Sequence, residues 1–329
     1  MQKAGIVPVV RETRLQDALP YTEHIVFHLE EIYATPPWGL WLLYHRLRQE
    51  GAIVTLDGHG GDELLAGYDH YIIAALYDAG SRHGSLPRYL QLLQMYAAMR
   101  SGGPDVQQWR NLGDLLWDTA FPLRYLRRLL HPLGVFATQG SPDLTASWFA
   151  PDLEGVPCPA PERTPFPDGS LLERTLYQDF HEGVLQVILR NFDRMSMAHG
   201  VEIRMPFLDW RLVTFTFALP ETSKVGGGFT KRILREAMKG RVPEIVRTRK
   251  DKIGFSVPVS LWTQQGLSQW LREIVEEQGF VRHPLWRGKA IADWVRSYEK
   301  GERWDWAAFS SVWRYVNAYL WFRTFHASL

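Results

Sequence analysis

The segment Ala52 to Tyr68 reads Ala-Ile-Val-Thr-Leu-Asp-Gly-His-Gly-Gly-Asp-Glu-Leu-Leu-Ala-Gly-Tyr and concentrates the chemistry-bearing residues of the chain. An apolar run, Ala52 to Leu56, ends in the carboxylate of Asp57. Gly58, Gly60 and Gly61 follow, and Asp62 and Glu63 open a helical pattern. In an open α/β sheet, ligands bind beyond the carboxyl ends of the strands. Glycines there let the backbone approach a ligand and take positive φ without steric cost. Asp62 and Glu63 would offer oxygen ligands to a Mg²⁺ ion carrying phosphates. The alternative is a plain strand-to-helix turn with Asp62 as its N-cap. Three glycines and three carboxylates within seven residues fit that alternative less well.

A second cluster runs from Arg190 to Asp209 and sets ionisable side chains between apolar ones. A helix is predicted to end near His199-Gly200, because Gly suits the position just past a helix. Asp193 can pair with Arg194, and Glu202 and Arg204 with groups elsewhere. A structural ion-pair network accounts for Arg194 and Asp209. Glu202 falls in a short segment between helices, beside apolar neighbours, where a carboxylate needs a partner or a task.

A third cluster lies between Gly228 and Pro258. Gly228 to Gly240 reads as a helix capped by Thr230, with Lys231 and Arg232 in its first turn. The helix dipole disfavours cations there by roughly 0.3–1 kcal/mol. An anion bound at that end would reverse the sign. Four cations, Arg247, Arg249, Lys250 and Lys252, then crowd into six residues. A solvated basic loop is the alternative. Carboxylates on one side of a Mg²⁺ ion and lysines on the other are the two halves of a pyrophosphate site, where charge neutralisation is most of the chemistry.

These clusters need elements to hold them. Residues 37–50 carry apolar side chains at helical spacing, Gly51 stops that helix, and a strand over 52–56 follows. Residues 71–133 alternate helical patterns with breaks at Gly80, Gly84 and Gly102-Gly103. Residues 151–169 hold six prolines and read as an extended connector. Helical periodicity returns at 171, and the aromatic-rich 304–325 segment is predicted to be a core helix. The chain divides into a sheet remnant over 1–75, a variable helical insert and connector over 76–170, and a helical part of the same unit over 171–329. Its 329 residues suffice for one large or two ordinary domains. A formal net charge of +1 argues against a nucleic-acid partner. The lone cysteine, Cys158, excludes an internal disulfide and a multi-cysteine metal site. No apolar run reaches membrane-spanning length and no signal-peptide core is present, so a cytoplasmic location with no membrane partner is expected.

Leu56 to Tyr68, Arg194 to Asp209, and Lys231 to Arg235 with Lys252 to Phe255 occur in this order. Together they resemble the C-terminal synthetase domain of the glutamine-dependent asparagine synthetases, whose relatives include β-lactam synthetase, carbapenam synthetase and lasso-peptide cyclases. The likeness runs from about residue 25 to the end and is weakest over 75–165. It implies an α/β fold of the PP-loop ATP-pyrophosphatase type, elaborated with helices. It also implies ATP and Mg²⁺ as cofactors, and a reaction in which a carboxylate is adenylated, pyrophosphate leaves, and an amine or ammonia attacks the acyl-adenylate. Aspartate is the default carboxylate; a sugar acid or peptide carboxylate is the alternative. By this resemblance Asp57, Gly58 and Gly60 fall at ATP-touching positions, and Asp62 at a Mg²⁺-binding aspartate. Lys252 falls at the lysine that stabilises pyrophosphate and the amide-forming transition state, Lys231 joins the phosphate side, and Glu202 lies near the acceptor.

Three departures qualify the resemblance. His59 stands where the family has a glutamate, and Asp57 where it has a serine; His59 could still shuttle a proton or orient a phosphate. The family's glutaminase needs an amino-terminal cysteine, whereas Met1 is followed by Gln2. The nitrogen source is then free ammonia, an amine, or the product of a separate glutaminase. The phosphate-cradling Ser-Gly-Gly-x-Asp-Ser loop expected before residue 25 is missing. Ser101-Gly-Gly-Pro-Asp105 follows a helical run and has Val106 in place of the final serine, and its proline removes a backbone donor. The sequence thus reads as an amino-terminally truncated synthetase domain, completed by an N-terminal half from elsewhere or retained as a catalytically inactive interaction subunit.

Overall fold

The computed structural model describes residues 10, 12–33, 35–82, 85–99, 148–153, 169–250, 258–301 and 304–326. Lys252, Cys158, Gly84 and the segment from Ser101 to Asp105 lie outside the described residues, as does most of the proline-rich connector.

Among the described residues, a one-turn helix (Leu15–Ala18) leads into α1 (Thr22–Leu29) and α2 (Trp38–Gln49), ahead of the first strand. Trp38, Trp41, Leu42 and Tyr44 of α2 are buried, at the helical spacing the sequence shows. Gly51, at φ +84, turns the chain out of α2, a conformation that costs glycine nothing. Strand β1 (Val54–Leu56) follows, then α3 (Gly61–Leu65), α4 (Asp69–Tyr77) and α5 (Leu86–Met99). The predicted break at Gly80 is instead a π-helical turn over Asp78–Arg82.

After the connector come α6 (Leu171–His181), α7 (Val184–Met197) and β2 (Glu202–Arg204). α6 starts in a capping box in which Ser170 and Glu173 exchange side-chain and backbone bonds. The buried carboxylate of Asp78 accepts from the next two amides, Leu171 and Leu172, at 2.9 Å each, and so ties α6 to α4. Gly200, at φ +66, ends the turn after α7. Glu202 therefore lies in a strand and not in an irregular link. β1 and β2 run parallel in the register Val54↔Glu202, Thr55↔Ile203 and Leu56↔Arg204. Among the described residues this sheet has two strands.

The remaining helices include α8 (Trp210–Phe217), α9 (Arg232–Ala237), α10 (Ser268–Glu276), α11 (Gly288–Gly301) and α12 (Trp306–Phe325). The Asp305 carboxylate caps α12 by accepting from the Ala308 amide. Trp313 and Asn317 of α12 both donate to the Tyr33 carbonyl, at 3.0 and 2.7 Å. The aromatic-rich segment is thus a core helix, as predicted: Phe309, Trp313, Tyr315 and Tyr319 of α12 share one apolar cluster with residues of α1 and α2. A second cluster joins α4, α5 and α6, and a smaller third one joins α3, α7 and α8. No helix among the described residues is long and apolar enough to cross a membrane.

Candidate functional site

The carboxyl end of β1 opens directly into the motif. The Asp57 amide donates to the Arg204 carbonyl at 2.9 Å, so the sheet holds the start of the turn. Gly60 then takes φ +85, and a Cβ there would overlap Leu208 Cδ2. Its φ is what calls for glycine; the Leu208 side-chain end would have to shift as well to admit a Cβ. Gly58 has open space around its Cβ position and Gly61 only ordinary contacts. Asp62 is not the N-cap; Gly60 is, and Asp62 sits in the first turn of α3.

The three carboxylates of the motif have different surroundings. Asp57 accepts from the Tyr44 hydroxyl at 3.3 Å, and its Oδ2 lies 3.6 Å from His59 Nδ1. Burial and the nearby Asp57 charge push the Tyr44 hydroxyl pKa well up, so the phenol stays a donor. Asp62 Oδ1 is 2.8 Å from Lys231 Nζ, in a partly buried ion pair. Glu63 is 2% exposed and accepts from Tyr68 Oη at 3.0 Å. Burial pushes its pKa up. Glu63 is thus buried and engaged by Tyr68 instead of standing open on the turn, which corrects its reading as a second oxygen ligand.

His59 sits edge-on to Phe192 of α7, ring centroids 4.2 Å apart. Burial lowers its pKa against the opposing pull of Asp57 and Asp62, so the ring is neutral at pH 7.

Lys231 reaches Asp62 through an unusual backbone. It is the N-cap of α9, at φ 52, and its amide donates to the Leu65 carbonyl at 3.1 Å. Ala66, at φ 56, turns the chain beside it. Non-glycine residues in this region are strained and cluster at functional sites. Thr230 is therefore not the cap, because the chain is drawn one residue further onto the end of α3. Gly67 lies beneath the ion pair: a Cβ there would overlap Asp62 Oδ1 and crowd Lys231 Cε.

Asp57, His59, Asp62 and Lys231 are thereby gathered around one turn. Glu202 is beside them in the sheet, but its side chain is 55% exposed and pairs with Arg204 at 2.8 Å. Glu202 and Arg204 thus satisfy each other instead of finding distant partners, and the apolar neighbours leave Glu202 in solvent. Asp209 likewise pairs with Arg211 and caps α8 through the Arg211 amide, which holds its pKa down at about 2.

No group of three or more His, Cys, Asp or Glu among the described residues could hold a metal ion. Asp62 offers a single carboxylate. That donor set fits Mg²⁺ only in the form where phosphates and water supply the other ligands. The sequence reading gave no role to Tyr44, Gly67, Tyr68 or Phe192. The hydroxyl of Tyr44 on the buried face of α2 was a signal, since a buried phenol needs an acceptor.

A parallel β1/β2 pair flanked by helices fits an α/β protein, and the glycine turn with its gathered charges lies at the strand ends, where such folds place ligands. The family model for asparagine synthase matches residues 3–323, and the chain belongs to that family. It is 28% identical over 284 residues to asparagine synthetase (glutamine-hydrolyzing) 1 of Bacillus subtilis, covering 83% of this chain and 41% of that protein. It is 27% identical over 272 residues to a putative asparagine synthetase (glutamine-hydrolyzing) of Mycobacterium tuberculosis, covering 80% of this chain and 38% of the relative. The human asparagine synthetase (glutamine-hydrolyzing) is 32% identical over 117 residues, 35% of this chain and 18% of the relative. The chain thus spans about two fifths of the length of the first two relatives.

Proposed function

We propose that this chain carries most of an asparagine-synthetase-type ligase core, with the PP-loop ATP-pyrophosphatase architecture. In the proposed reaction ATP adenylates a carboxylate and pyrophosphate leaves. Ammonia or an amine then attacks the acyl-adenylate, giving an amide, AMP and a proton. Aspartate is the default acceptor; His59 and Asp57, which replace the family's glutamate and serine, keep another carboxylate such as a sugar acid open. A cytoplasmic location goes with ATP as co-substrate.

One observation carries this reading: Lys231, far away in sequence, meets Asp62 at 2.8 Å on the turn that follows β1. When bound, Mg²⁺ would neutralise phosphate charge beside Asp62. Lys231 would then turn its ammonium from Asp62 to the phosphate oxygens, with Lys252 as a second cation. The backbone at Gly58 and Gly60 would line the nucleotide. His59, uncharged at neutral pH, would accept the proton of the attacking amine. Glu202, exposed beside the turn and paired with Arg204, would exchange that partner for the amine or ammonium end of an acceptor.

Aspartate-dependent ATP–pyrophosphate exchange tests the reaction. In the enzyme completed by an N-terminal half, the expected result is exchange that Asp62→Asn abolishes; exchange that survives that substitution refutes the metal assignment.

A second reading rests on the uncovered faces of β1. Ile53, Val54 and Leu56 are 61%, 38% and 75% exposed. Parallel sheets are otherwise covered on both faces, and two short strands are not stable alone. That exposure supports further strands pairing at β1, from a separate N-terminal half, with a separate glutaminase as nitrogen source. In the limiting case the chain is an interaction subunit without catalysis of its own. Mg·ATP binding by calorimetry separates the two: an interaction subunit binds none.

A further inference from the structure

We propose that Tyr44, Asp57 and His59 form a positioning relay, in which Asp57, held by Tyr44, fixes His59 as the Nδ1–H tautomer and leaves Nε2 as its open nitrogen. The proposal deepens the ligase reading above in one respect, since the use of Nε2 as the base for an attacking amine rests on that reading; the relay itself does not.

Three observations carry it. First, His59 Nδ1 is buried and has no hydrogen-bond partner, and the acidic atom beside it is Asp57 Oδ2 at 3.6 Å. A buried N–H needs an acceptor, and a buried bare ring nitrogen facing a carboxylate would be repelled by it. Both arguments put the proton on Nδ1. The separation is longer than a hydrogen bond, as such contacts often are before substrate tightens them. Second, the same Asp57 Oδ2 accepts from Tyr44 Oη at 3.3 Å. Tyr44 is 2% exposed and fixed in the buried face of α2, so it anchors the carboxylate from below. Third, Phe192 packs edge-on against the imidazole and limits its rotation.

The charged and titratable groups that act on His59 are Asp57 and Asp62, with Tyr44 behind Asp57. Asp57 replaces a serine of the family resemblance, and a carboxylate side chain aimed at phosphates would repel them. Its position against Tyr44 and His59 removes that conflict: the side chain serves the histidine and the backbone remains for the nucleotide.

Ring-nitrogen NMR of the full chain, with no nucleotide present, tests the relay. The His59 signals are assigned through His59→Gln. The expected wild-type pattern at pH 7 is a protonated Nδ1 and a bare Nε2. Asp57→Asn is expected to mix the tautomers and lower the His59 titration midpoint by about one unit. Tyr44→Phe removes the anchor of Asp57 and is expected to mix the tautomers in the same direction as Asp57→Asn, to a smaller extent; an unchanged tautomer there removes Tyr44 from the relay. Unmoved His199 signals in both variants show that the fold is kept. A wild-type ring protonated on Nε2, or an Asp57→Asn variant with an unchanged tautomer and midpoint, overturns the relay. Absence of exchange in the enzyme completed by an N-terminal half, with the NMR pattern intact, overturns the ligase reading alone.

Discussion

Gly67 sits beneath the Asp62–Lys231 pair, and replacing it with alanine tests whether that pair is built as described. The new Cβ would overlap Asp62 Oδ1 and crowd Lys231 Cε. Both are ends of side chains, so the backbone can stay and the pair must open. At 2.8 Å the gross attraction is about 6 kcal/mol at an effective dielectric of about 20. Desolvation cancels most of it. The side chains are 26% and 16% exposed, between the surface case of about 0.2–1 kcal/mol and the buried case of about 3–5 kcal/mol. Gly67→Ala is therefore expected to cost about 1–3 kcal/mol. In an Asp62→Ala background the overlapping atom is gone, and the same substitution should cost under about 0.5 kcal/mol. Urea unfolding of the four proteins gives the coupling directly. An equal cost of Gly67→Ala in both backgrounds would refute the reasoning, because the strain would then come from the backbone and not from the pair.

Three further outcomes follow from the same geometry. His199 packs against Trp41 and His45, and burial, with His45 and His28 adding to it, lowers its pKa to about 4 from 6.5. Between those values the unfolded chain binds the proton and the folded one does not, so stability rises with pH across that window, by at most about 3 kcal/mol; melting temperatures should climb from pH 4 to pH 6.5, and His199→Phe should flatten the climb. Burial raises the Glu63 pKa, so its ionised form weakens the fold as pH rises through that pKa; Glu63→Gln keeps an acceptor for Tyr68 and should raise the melting temperature at pH 7 but not at pH 4. Leu56 is 75% exposed, so Leu56→Lys should leave the unfolding free energy of the isolated chain within about 0.5 kcal/mol of wild type, and a larger loss would show that β1 is already covered.

The sequence was most legible where one local pattern decides the outcome. The apolar spacing of 37–50, the strand before Asp57 and the aromatic face of α12 all appear within a few residues of where periodicity put them. Pairing across long separations was not legible. Glu202 looked like an irregular residue in need of a task, because nothing local shows that 202–204 lies beside 54–56. Once in that strand it points outward and meets Arg204 two residues on, as alternate residues of a strand share a face. Thr230 looked like a cap because its type favours one. The contact between the Lys231 amide and the Leu65 carbonyl overrides that preference, and only tertiary structure supplies it.

The turn after β1 sets three carboxylates within seven residues, and their mutual repulsion is met by a different device for each. Glu63 is drawn inward, where burial favours its protonated form and Tyr68 supplies the hydrogen bond. Asp57 is shared between a phenol and an imidazole, neither of which carries a full charge at pH 7 in these surroundings. Asp62 alone faces a full positive charge, and that charge sits on the end of a flexible lysine. An ammonium on a four-carbon stem can leave for a stronger anion at little conformational cost, whereas a buried phenol cannot. Of the three, Asp62 is therefore the carboxylate whose counter-charge can be exchanged for a dication. The strained backbone at Lys231 and the bare Gly67 beneath it keep that exchangeable pair in place.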